Sequence, residues 1–495
     1  MGRRTRILIS GIVQGVGFRP FLFNLLTRLG ITGTINNTGN LGVELDLEIH
    51  DETLTLDNLC DQIKAQAPPI AYIENIEIHP PLPNLETHFN KLIIIPSNEA
   101  VGKGLSLPPD IATCDKCLEE LKNPNFTRFN EYPFISCAQC GPRFTITHSL
   151  PYDRPETAMA IFPFCQGASS CRSEYEDPND RRFHAQTFGC KRCGPSYFSV
   201  PSKTKHPNKT SPASLPELIE KIKSGNIVAI KGIGGVHLIC RADKEDLIAE
   251  LRKRKRNRDY KPFAVMMPSI MVAKKYCDIS ALAESLLSSF RRPIVLCPKI
   301  PDTLPDNISP GLPHIGILFP YMGLHYMLFD NLNEIPLIFT SGNLSSLPMA
   351  VENNAIIEEL ADIADYFYLH NREIYQRCDD SVVRLVGNKP AIIRRSRGYV
   401  PEYIRLPFTP PVKAMLAFGP EENCTGAVAK GDRIFPTQHI GEVENLETYD
   451  FLDNAMTHMQ RLLKIQPNEI GIIAHDLHPQ FHSTKLALKS SEILR

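Results

Sequence analysis

The stretch Cys114-Asp115-Lys116-Cys117, followed nineteen residues later by Cys137-Ala138-Gln139-Cys140-Gly141-Pro142, decides the architecture of the middle of this chain. A second copy follows with a longer first spacing, Cys165 and Cys171, and then Cys190-Lys191-Arg192-Cys193-Gly194-Pro195. Both copies also carry a Pro-Asn pair and an Arg-Phe pair at matching places. A unit of this length that occurs twice is one structural module, duplicated.

These spacings are typical of zinc sites. Two cysteines separated by two residues can place two thiolates on one tetrahedral ion, and a second such pair about twenty residues away completes a closed, structural site. The sequence therefore predicts two structural zinc ions. The predicted ligands are Cys114, Cys117, Cys137 and Cys140 for the first ion, and Cys165, Cys171, Cys190 and Cys193 for the second.

The second site is irregular. In the register of the repeat, the partner of Cys114 falls on Ala168, so Cys165 must reach in across a loop three residues longer, or the site has only three thiolates. A disulfide framework is the alternative reading of the cysteines, but it needs an oxidising compartment. Residues 1–10 have a basic start and no long apolar run, so no secretory signal is visible. We therefore expect reduced thiols and a cytoplasmic protein.

Length and charge narrow the class of protein. A chain of 495 residues is too long for one core, and we expect three or four domains. The formal net charge of −1 offers no field over the whole chain for nucleic acid. No apolar stretch approaches the length of a membrane span. We expect neither nucleic acid nor a membrane as partner.

Composition divides the chain into four parts. Proline-rich breaks near residues 81–109 and 407–411, and an aperiodic linker at 200–213, separate segments with clear hydrophobic periodicity. The resulting fold class is a multidomain α/β (α+β) protein. The predicted domains span residues 3–92, 106–200, 208–402 and 412–495.

The first domain reads strand, helix, two strands, helix, strand. The predicted strands lie at 6–11, 33–37, 43–49 and 70–78, and the predicted helices lie at 19–29 and 54–66. This order is the ferredoxin-like pattern.

A glycine-rich loop follows the first strand. It reads Gly11-Ile12-Val13-Gln14-Gly15-Val16-Gly17-Phe18-Arg19. Glycines at a helix start let successive backbone N–H groups turn inward and bind an anion, and the planar Arg19 side chain can hold two phosphate oxygens. The loop resembles the acylphosphatase signature. That resemblance implies that Arg19 binds the phosphate, that Asn37 orients the attacking water, and that the loop residues bind phosphate. These loop residues are Gln14, Gly15, Val16, Gly17 and Phe18.

The third domain carries polar groups at strand ends. A Gly-rich turn closes residues 228–235, a basic run spans 252–261, and Thr340-Ser341-Gly342-Asn343 and Asp380-Ser381 follow later. Such groups suit a nucleotide. Together they resemble the YrdC-type domain, which makes a carbamoyl-type adenylate from ATP. The resemblance implies nucleotide-binding roles for Arg256, Arg258, Lys261, Ser341 and Asn343, although Arg256 stands where that family has lysine.

The order of these modules resembles the HypF family of hydrogenase-maturation carbamoyltransferases. Further marks are Glu174-Tyr175-Glu176-Asp177-Pro178, Arg394-Arg395-Ser396-Arg397-Gly398-Tyr399 and Gln438-His439-Ile440-Gly441-Glu442. The resemblance implies an enzyme that hydrolyses carbamoyl phosphate, makes carbamoyl-adenylate from ATP with Mg²⁺, and passes the carbamoyl group to the C-terminal cysteine of a HypE-type acceptor, for the CN ligands of the [NiFe] site.

Three histidines and the chain end complete the expectations. His184 is expected to be a structural, hydrogen-bonded residue, and His475 and His478 have a spacing that could clamp a metal, although the resemblance places none there. The family's last domain is longer and His-rich, so we expect that domain to be incomplete in this chain.

Two other functions stay open at this stage. One is a zinc-finger protein that binds nucleic acid, read from the two cysteine units and the basic run. The other is a threonylcarbamoyl-adenylate synthase acting in tRNA modification, which shares the YrdC-type domain but needs no acylphosphatase site.

Overall fold

The computed structural model describes residues 3–39, 41–80, 89–98, 107–201, 211–256, 260–344 and 347–493. It confirms a mixed α/β multidomain protein. Within the described residues, no helix has both the length and the apolar character needed to cross a membrane.

The first domain is a sheet of five strands with two helices. Its elements are β1 (Arg3–Ile12), α1 (Phe18–Arg28), β2 (Thr32–Asn37), β3 (Val43–Ile49), α2 (Leu56–Gln66), β4 (Tyr72–His79) and β5 (Leu92–Ile94). The strand order is β4-β1-β3-β2-β5. The first four strands and both helices follow the predicted ferredoxin-like order, while β5, which runs parallel to β2, was not predicted.

Periodicity explains why the sequence prediction works here. On β1, Ile7 and Ile9 are fully buried while the alternate arginines face outward, as a half-buried strand requires. On α1, Leu22, Leu25 and Leu26 are buried together on one helical face.

The second domain contains little regular structure. It holds two short helices, α3 (Asp115–Lys122) and α4 (Cys171–Glu176). Helix α3 begins directly after Cys114, and helix α4 begins at Cys171. Its remaining chain forms turns and two 3-10 helices at Phe144–Ile146 and Arg154–Glu156. We therefore expect the two cysteine clusters, with zinc bound, to stabilise the fold of this domain.

The third domain is built on a mixed sheet of eleven strands. Its strands are β6 (Tyr197–Pro201), β7 (Ser211–Pro212), β8 (Val228–Lys231), β9 (Val236–Arg241), β10 (Ala264–Met266), β11 (Ile294–Pro298), β12 (His314–Leu318), β13 (Leu337–Ser341), β14 (Tyr366–His370), β15 (Val382–Val386) and β16 (Lys389–Arg394). Its helices are α5 (Leu215–Lys223), α6 (Glu245–Arg254), α7 (Ile270–Ala273), α8 (Ala281–Ser288), α9 (Gly323–Leu332) and α10 (Asn353–Glu359). The strand order is β16-β15-β11-β12-β10-β13-β9-β8-β14-β6-β7.

The last part of the chain forms another sheet of five strands. Its elements are β17 (Ile404–Arg405), β18 (Ala414–Ala417), β19 (Ala427–Lys430), β20 (Arg433–Pro436), α11 (Leu446–Leu462), β21 (Ile470–Ala474) and α12 (His482–Ile493). The strand order is β17-β20-β19-β18-β21, and β21 runs parallel to β18.

The second domain lies between the other three and contacts each of them. The Arg143 guanidinium donates to the Gly15 carbonyl of the first domain (2.5 Å). The Phe134 ring stacks on Tyr197 of β6 with centroids 4.8 Å apart, and Phe144 lies 5.7 Å from His458 of α11. The zinc-type module shares buried clusters with the third and last domains, and a hydrogen bond joins it to the first domain.

Candidate functional sites

The first cysteine cluster has the geometry of a tetrahedral thiolate site. The Sγ atom of Cys137 lies 3.8 Å from those of Cys114 and Cys140, and Cys140 lies 3.5 Å from Cys117. A tetrahedral zinc ion with zinc–sulfur bonds of about 2.3 Å separates its sulfurs by about 3.8 Å. The four residues therefore fit a zinc ion.

The second cluster is complete, so the long loop does bring Cys165 into place. The Sγ atom of Cys190 lies 3.9 Å from that of Cys165 and 3.8 Å from that of Cys193, and Cys193 lies 3.5 Å from Cys171. In each cluster all four sulfurs lie within 4.8 Å of one another. The sequence did not decide whether this site has three or four thiolates, and the structure places four together.

The two repeats exchange arginines. Arg128 of the first repeat donates to Cys171 Sγ of the second (2.7 Å) and pairs with Glu174 (2.8 Å). In return, Arg181 of the second repeat donates to Cys117 Sγ (2.9 Å) and pairs with Glu120 (2.8 Å). N–H donors stabilise thiolates, so each repeat completes the shell around the other's cluster.

We expect the purified protein to carry two zinc ions per chain. Metal analysis by mass spectrometry measures this directly, and a Cys165→Ser variant should lose close to half of the zinc because one ligand of a four-thiolate site is removed. Cys60→Ser, a buried cysteine of α2 outside both clusters, is the control and should keep two ions. One ion in the parent protein would show that the second cluster does not bind zinc.

The glycine-rich loop leads into the N-terminus of helix α1. Gly15 and Gly17 have φ angles of 67° and 75°, a region that favours glycine, and Gly17 is the N-cap of α1. The side chains of Gln14, Val16 and Phe18 are buried. Since these side chains are held in the domain, the loop offers an anion its main-chain N–H groups.

Arg19 and Asn37 meet beside this loop. Both are buried, and with the Asn37 amide oxygen turned toward the guanidinium, that oxygen lies 3.2 Å from Nε and from Nη2 of Arg19. Arg19 Nη2 also donates to Asp153 Oδ1 (3.0 Å). The structure thus brings together the two residues that the sequence assigned to hydrolysis, and adds a carboxylate that the sequence did not predict.

Residues of the second domain pack against the glycine-rich loop of the first domain. A Cβ atom on Gly15 would lie 3.1 Å from the Tyr152 ring and 3.2 Å from Arg143. His184 lines the same narrow space, between the rings of Phe183 and Tyr175. Burial, and then the positive charge of Arg19, lower the pKa of His184 to about 4. His184 is therefore a neutral imidazole at pH 7, in contact with both rings and lining the space beside the loop.

A second cavity of about 200 Å³ opens at the ends of β9 and β13 in the third domain. Its polar lining combines both signs of charge with hydroxyl groups. The polar residues are His237, Lys261, Thr340, Ser341, Asp379, Asp380 and Arg394. Lys261 and Ser341 are the predicted nucleotide-binding residues in this wall. Asn343 lies in an adjoining cavity of about 120 Å³ that shares Lys261 and Ser341.

The basic run contributes Lys255 to the loop beside this cavity, a residue to which the sequence assigned no role. Arg256 is exposed and has a φ angle of 49°, and it does not line the cavity, while Arg258 lies outside the described residues. Lys255 is buried, and its Nζ donates to the main-chain carbonyls of Ser341 and Asn343 (both 2.7 Å). Lys255 therefore fixes the loop that presents Ser341 and Asn343. The sequence of consecutive cations does not show which one is buried.

A buried His-Asp-Arg chain forms the floor of this cavity. His237 Nε2 lies 3.3 Å from Asp380 Oδ2, and Arg397 Nε lies 2.6 Å from Asp380 Oδ1. Burial would raise the pKa of the Asp380 carboxyl, but Arg397 and then His237 outweigh it and hold that pKa well below its usual value. Asp380 is thus an anion inside the protein, and sequence reasoning noted it without assigning it a role.

The adjoining cavity reaches the last domain. Its lining includes His439, Gly441 and Glu442 of that domain, together with Arg377 and Asp379 of the third. Burial, and then Arg394, lower the pKa of His439 to about 4, so this imidazole is neutral at pH 7. The space beside Ser341 therefore borders residues of the last domain.

His475 and His478 belong to neither of the two cysteine clusters. Within the described residues, the groups close enough to share one metal ion are the two cysteine clusters. His475 lies beside its own neighbour's carbonyl, and His478 stacks on Phe481 with centroids 4.4 Å apart.

Four family profiles match successive parts of the chain. They are described as acylphosphatase (residues 5–90), HypF finger (113–147 and 169–200), telomere recombination (220–396), which is the family of YrdC-type domains, and HypF Kae1-like domain (410–494). The order of these profiles is the order of the modules inferred from the residues.

Relatives match over nearly the whole chain. A probable carbamoyltransferase HypF of Methanocaldococcus jannaschii is 41% identical over 99% of the chain and 62% of its own length. A carbamoyltransferase HypF2 of Cupriavidus necator is 38% identical over 98% of the chain and 60% of its own length. The chain therefore spans about three fifths of the length of these relatives.

Two other relatives match parts of the chain. An acylphosphatase of Caldivirga maquilingensis is 34% identical over 79 residues, which are 81% of its length. A threonylcarbamoyl-AMP synthase of Rattus norvegicus is 25% identical over 30% of the chain.

Solved structures show the same arrangement. A full-length HypF in a phosphate- and nucleotide-bound form superposes with a TM-score of 0.90, at 37% identity over 99% of this chain and 62% of that one. HypF of T. kodakarensis superposes with a TM-score of 0.89, at 40% identity, over 99% of this chain and 61% of that one.

Proposed function

The chain belongs to the HypF family, and from that premise we propose that it converts carbamoyl phosphate and ATP into a carbamoyl-adenylate destined for a protein cysteine. The observation that carries the proposal is the presence, in one chain, of an acylphosphatase-type cradle around Arg19 and a polar cavity around Ser341, with the zinc-type module packed between their domains.

The first step takes place at the glycine-rich loop. Arg19 and the loop amides hold the phosphoryl group and stabilise the charge that develops on it. Asn37 orients the water that attacks phosphorus, and carbamate leaves as phosphate forms. The contact between Asn37 and Arg19 supports this arrangement because it places the water-orienting amide next to the phosphate-binding cation.

The second step takes place in the 200 Å³ cavity. A carbamate oxygen attacks the α-phosphorus of ATP, bound as its magnesium complex, and pyrophosphate leaves. Lys261 and Arg394 supply positive charge in the cavity wall, and Lys255 holds the loop of Ser341 and Asn343 in place. Arg256 and Arg258 stay predicted nucleotide ligands.

The third step uses the last domain. The carbamoyl-adenylate passes through the adjoining cavity toward His439 and Glu442, and a cysteine thiolate of a HypE-type acceptor attacks its carbonyl carbon, so that AMP leaves. The shared lining of the two cavities supports this direction of transfer. The thiocarbamate formed is the precursor of the CN ligands of a [NiFe] site.

Each of the two other functions leaves a feature of the structure unexplained. A threonylcarbamoyl-adenylate synthase explains the third domain and leaves the Arg19 site without a role. A nucleic-acid-binding finger requires an exposed module, whereas this one is packed between other domains through Phe134, Phe144 and Arg143.

Separate assays of phosphate and pyrophosphate test the proposal. With carbamoyl phosphate alone we expect phosphate, because hydrolysis needs no nucleotide. With carbamoyl phosphate and ATP we expect pyrophosphate as well, and with ATP alone we expect neither product above background. Pyrophosphate that depends on threonine and bicarbonate, with no response to carbamoyl phosphate, would instead establish the threonylcarbamoyl function.

A further inference from the structure

A carboxylate from outside the first domain lies on its phosphate-binding arginine. Asp153 belongs to the zinc-type module, 134 residues further along the chain, and its Oδ1 accepts from Arg19 Nη2 at 3.0 Å. Only 9% of the Arg19 side chain and 28% of the Asp153 side chain are exposed, so water screens the pair incompletely.

The residues on either side of Asp153 fix it in this position. Tyr152 is buried against Gly15 of the loop. Arg154 donates to the main-chain carbonyls of Phe162 (2.6 Å), Gln186 (2.9 Å) and Phe188 (2.9 Å). With both neighbours held, the Asp153 carboxylate is presented to Arg19 by the packing of the module, and the contact is a built feature of the interface.

Two other basic side chains, His184 and Arg143, line the same narrow space as Arg19. His184 is uncharged at pH 7, for the reasons given above. The Arg143 guanidinium is engaged by main-chain oxygens of Gly15, Ala138 and Cys140. In the part of the chain that the structure describes, Asp153 pairs with Arg19, which is also the cation that the phosphoryl group needs.

We propose that Asp153 is a positioning residue that competes with phosphoryl oxygens for Arg19 and so weakens the hold of the site on inorganic phosphate. A phosphoryl group carries about two negative charges at pH 7, and a fixed anion beside its binding cation repels it. The consequence is faster departure of phosphate after cleavage. The proposal rests on the proposed acylphosphatase site and adds to it a residue of the zinc-type module.

The test is the affinity for inorganic phosphate. In Asp153→Asn, which keeps the shape of the side chain and removes its charge, we expect the inhibition constant of phosphate to fall about tenfold. A tenfold change is the factor that one pKa unit represents. The KM for carbamoyl phosphate should fall with it, and kcat should not rise. Asp153→Ser should show the same tightening, and two zinc ions in each variant would show that the module is intact.

The control is Asp46→Asn, which breaks a comparable pair with Arg4 (3.1 Å) in the same domain but away from the loop. It should leave the phosphate constant unchanged. A residue that only supports the fold would weaken phosphate binding when it is replaced, so an unchanged or higher constant in Asp153→Asn overturns the proposal.

Direct titration with inorganic phosphate by calorimetry separates this proposal from the one on which it rests. If Arg19→Ala abolishes phosphate binding but Asp153→Asn does not tighten it, only the role of Asp153 is wrong. If Arg19→Ala binds phosphate as the parent does, the phosphate site itself has been misassigned.

Discussion

Replacing Arg19 with alanine is expected to lower kcat/KM for phosphate release from carbamoyl phosphate by about 10³-fold, because it removes a cation that stabilises the charge developing on the transferred phosphoryl group. Asn37→Ala should follow with a loss of about 10²-fold through the misplaced water. A continuous phosphate assay measures both. The matched control is Arg28→Ala, on the same helix, where an exposed arginine bonds to Gln66 at 2.9 Å, and it should keep the parent rate.

A rescue experiment extends this prediction to the second site. Arg19→Ala should also make no pyrophosphate from carbamoyl phosphate and ATP, because carbamate is not released. Carbamate is present at equilibrium in ammonium bicarbonate solution, and that solution should restore pyrophosphate formation in Arg19→Ala. Without such a rescue, the two activities could not be assigned to separate sites.

Replacing Lys255 with methionine is expected to lower pyrophosphate formation about 100-fold while phosphate release from carbamoyl phosphate stays at the parent rate. The change leaves the buried carbonyls of Ser341 and Asn343 without a charged donor, which costs about 1–3 kcal/mol per unsatisfied group and lets the loop move. A pyrophosphate assay with ammonium bicarbonate and ATP isolates the effect from the first site.

Lys253→Met is the control for this change. Lys253 lies in the last turn of the same helix, α6, and is exposed, so its loss removes one charge of the basic run without touching the cavity. We expect parent activity. Equal losses in both variants would show that the run acts through its summed charge, and the specific contact of Lys255 would then have no special role.

The features that the sequence predicted are those encoded over short distances. Two cysteines separated by two residues reach one ion across a single tight turn, so the first cluster could be inferred from spacing, whereas the place of Cys165 in the second cluster could not. The loop ending at Arg19 is equally local, because glycines at 15 and 17 permit the left-handed conformations that aim backbone amides at one point. The order of strands and helices in the first domain followed from hydrophobic periodicity on elements such as β1 and α1.

Tertiary structure decided the contacts that cross between modules. Arg128 and Arg181 each donate to a cysteine of the other repeat's cluster because the two repeats pack together, and Asp153 reaches Arg19 because the second domain packs on the first. Which cation of the basic run contacts the loop of Ser341 and Asn343 depends on where α6 ends relative to β13, a matter of one residue. Spacing along the chain specifies which groups a local segment can bring together, whereas the partner of a long, flexible cationic side chain is set by packing between cores that are distant in sequence.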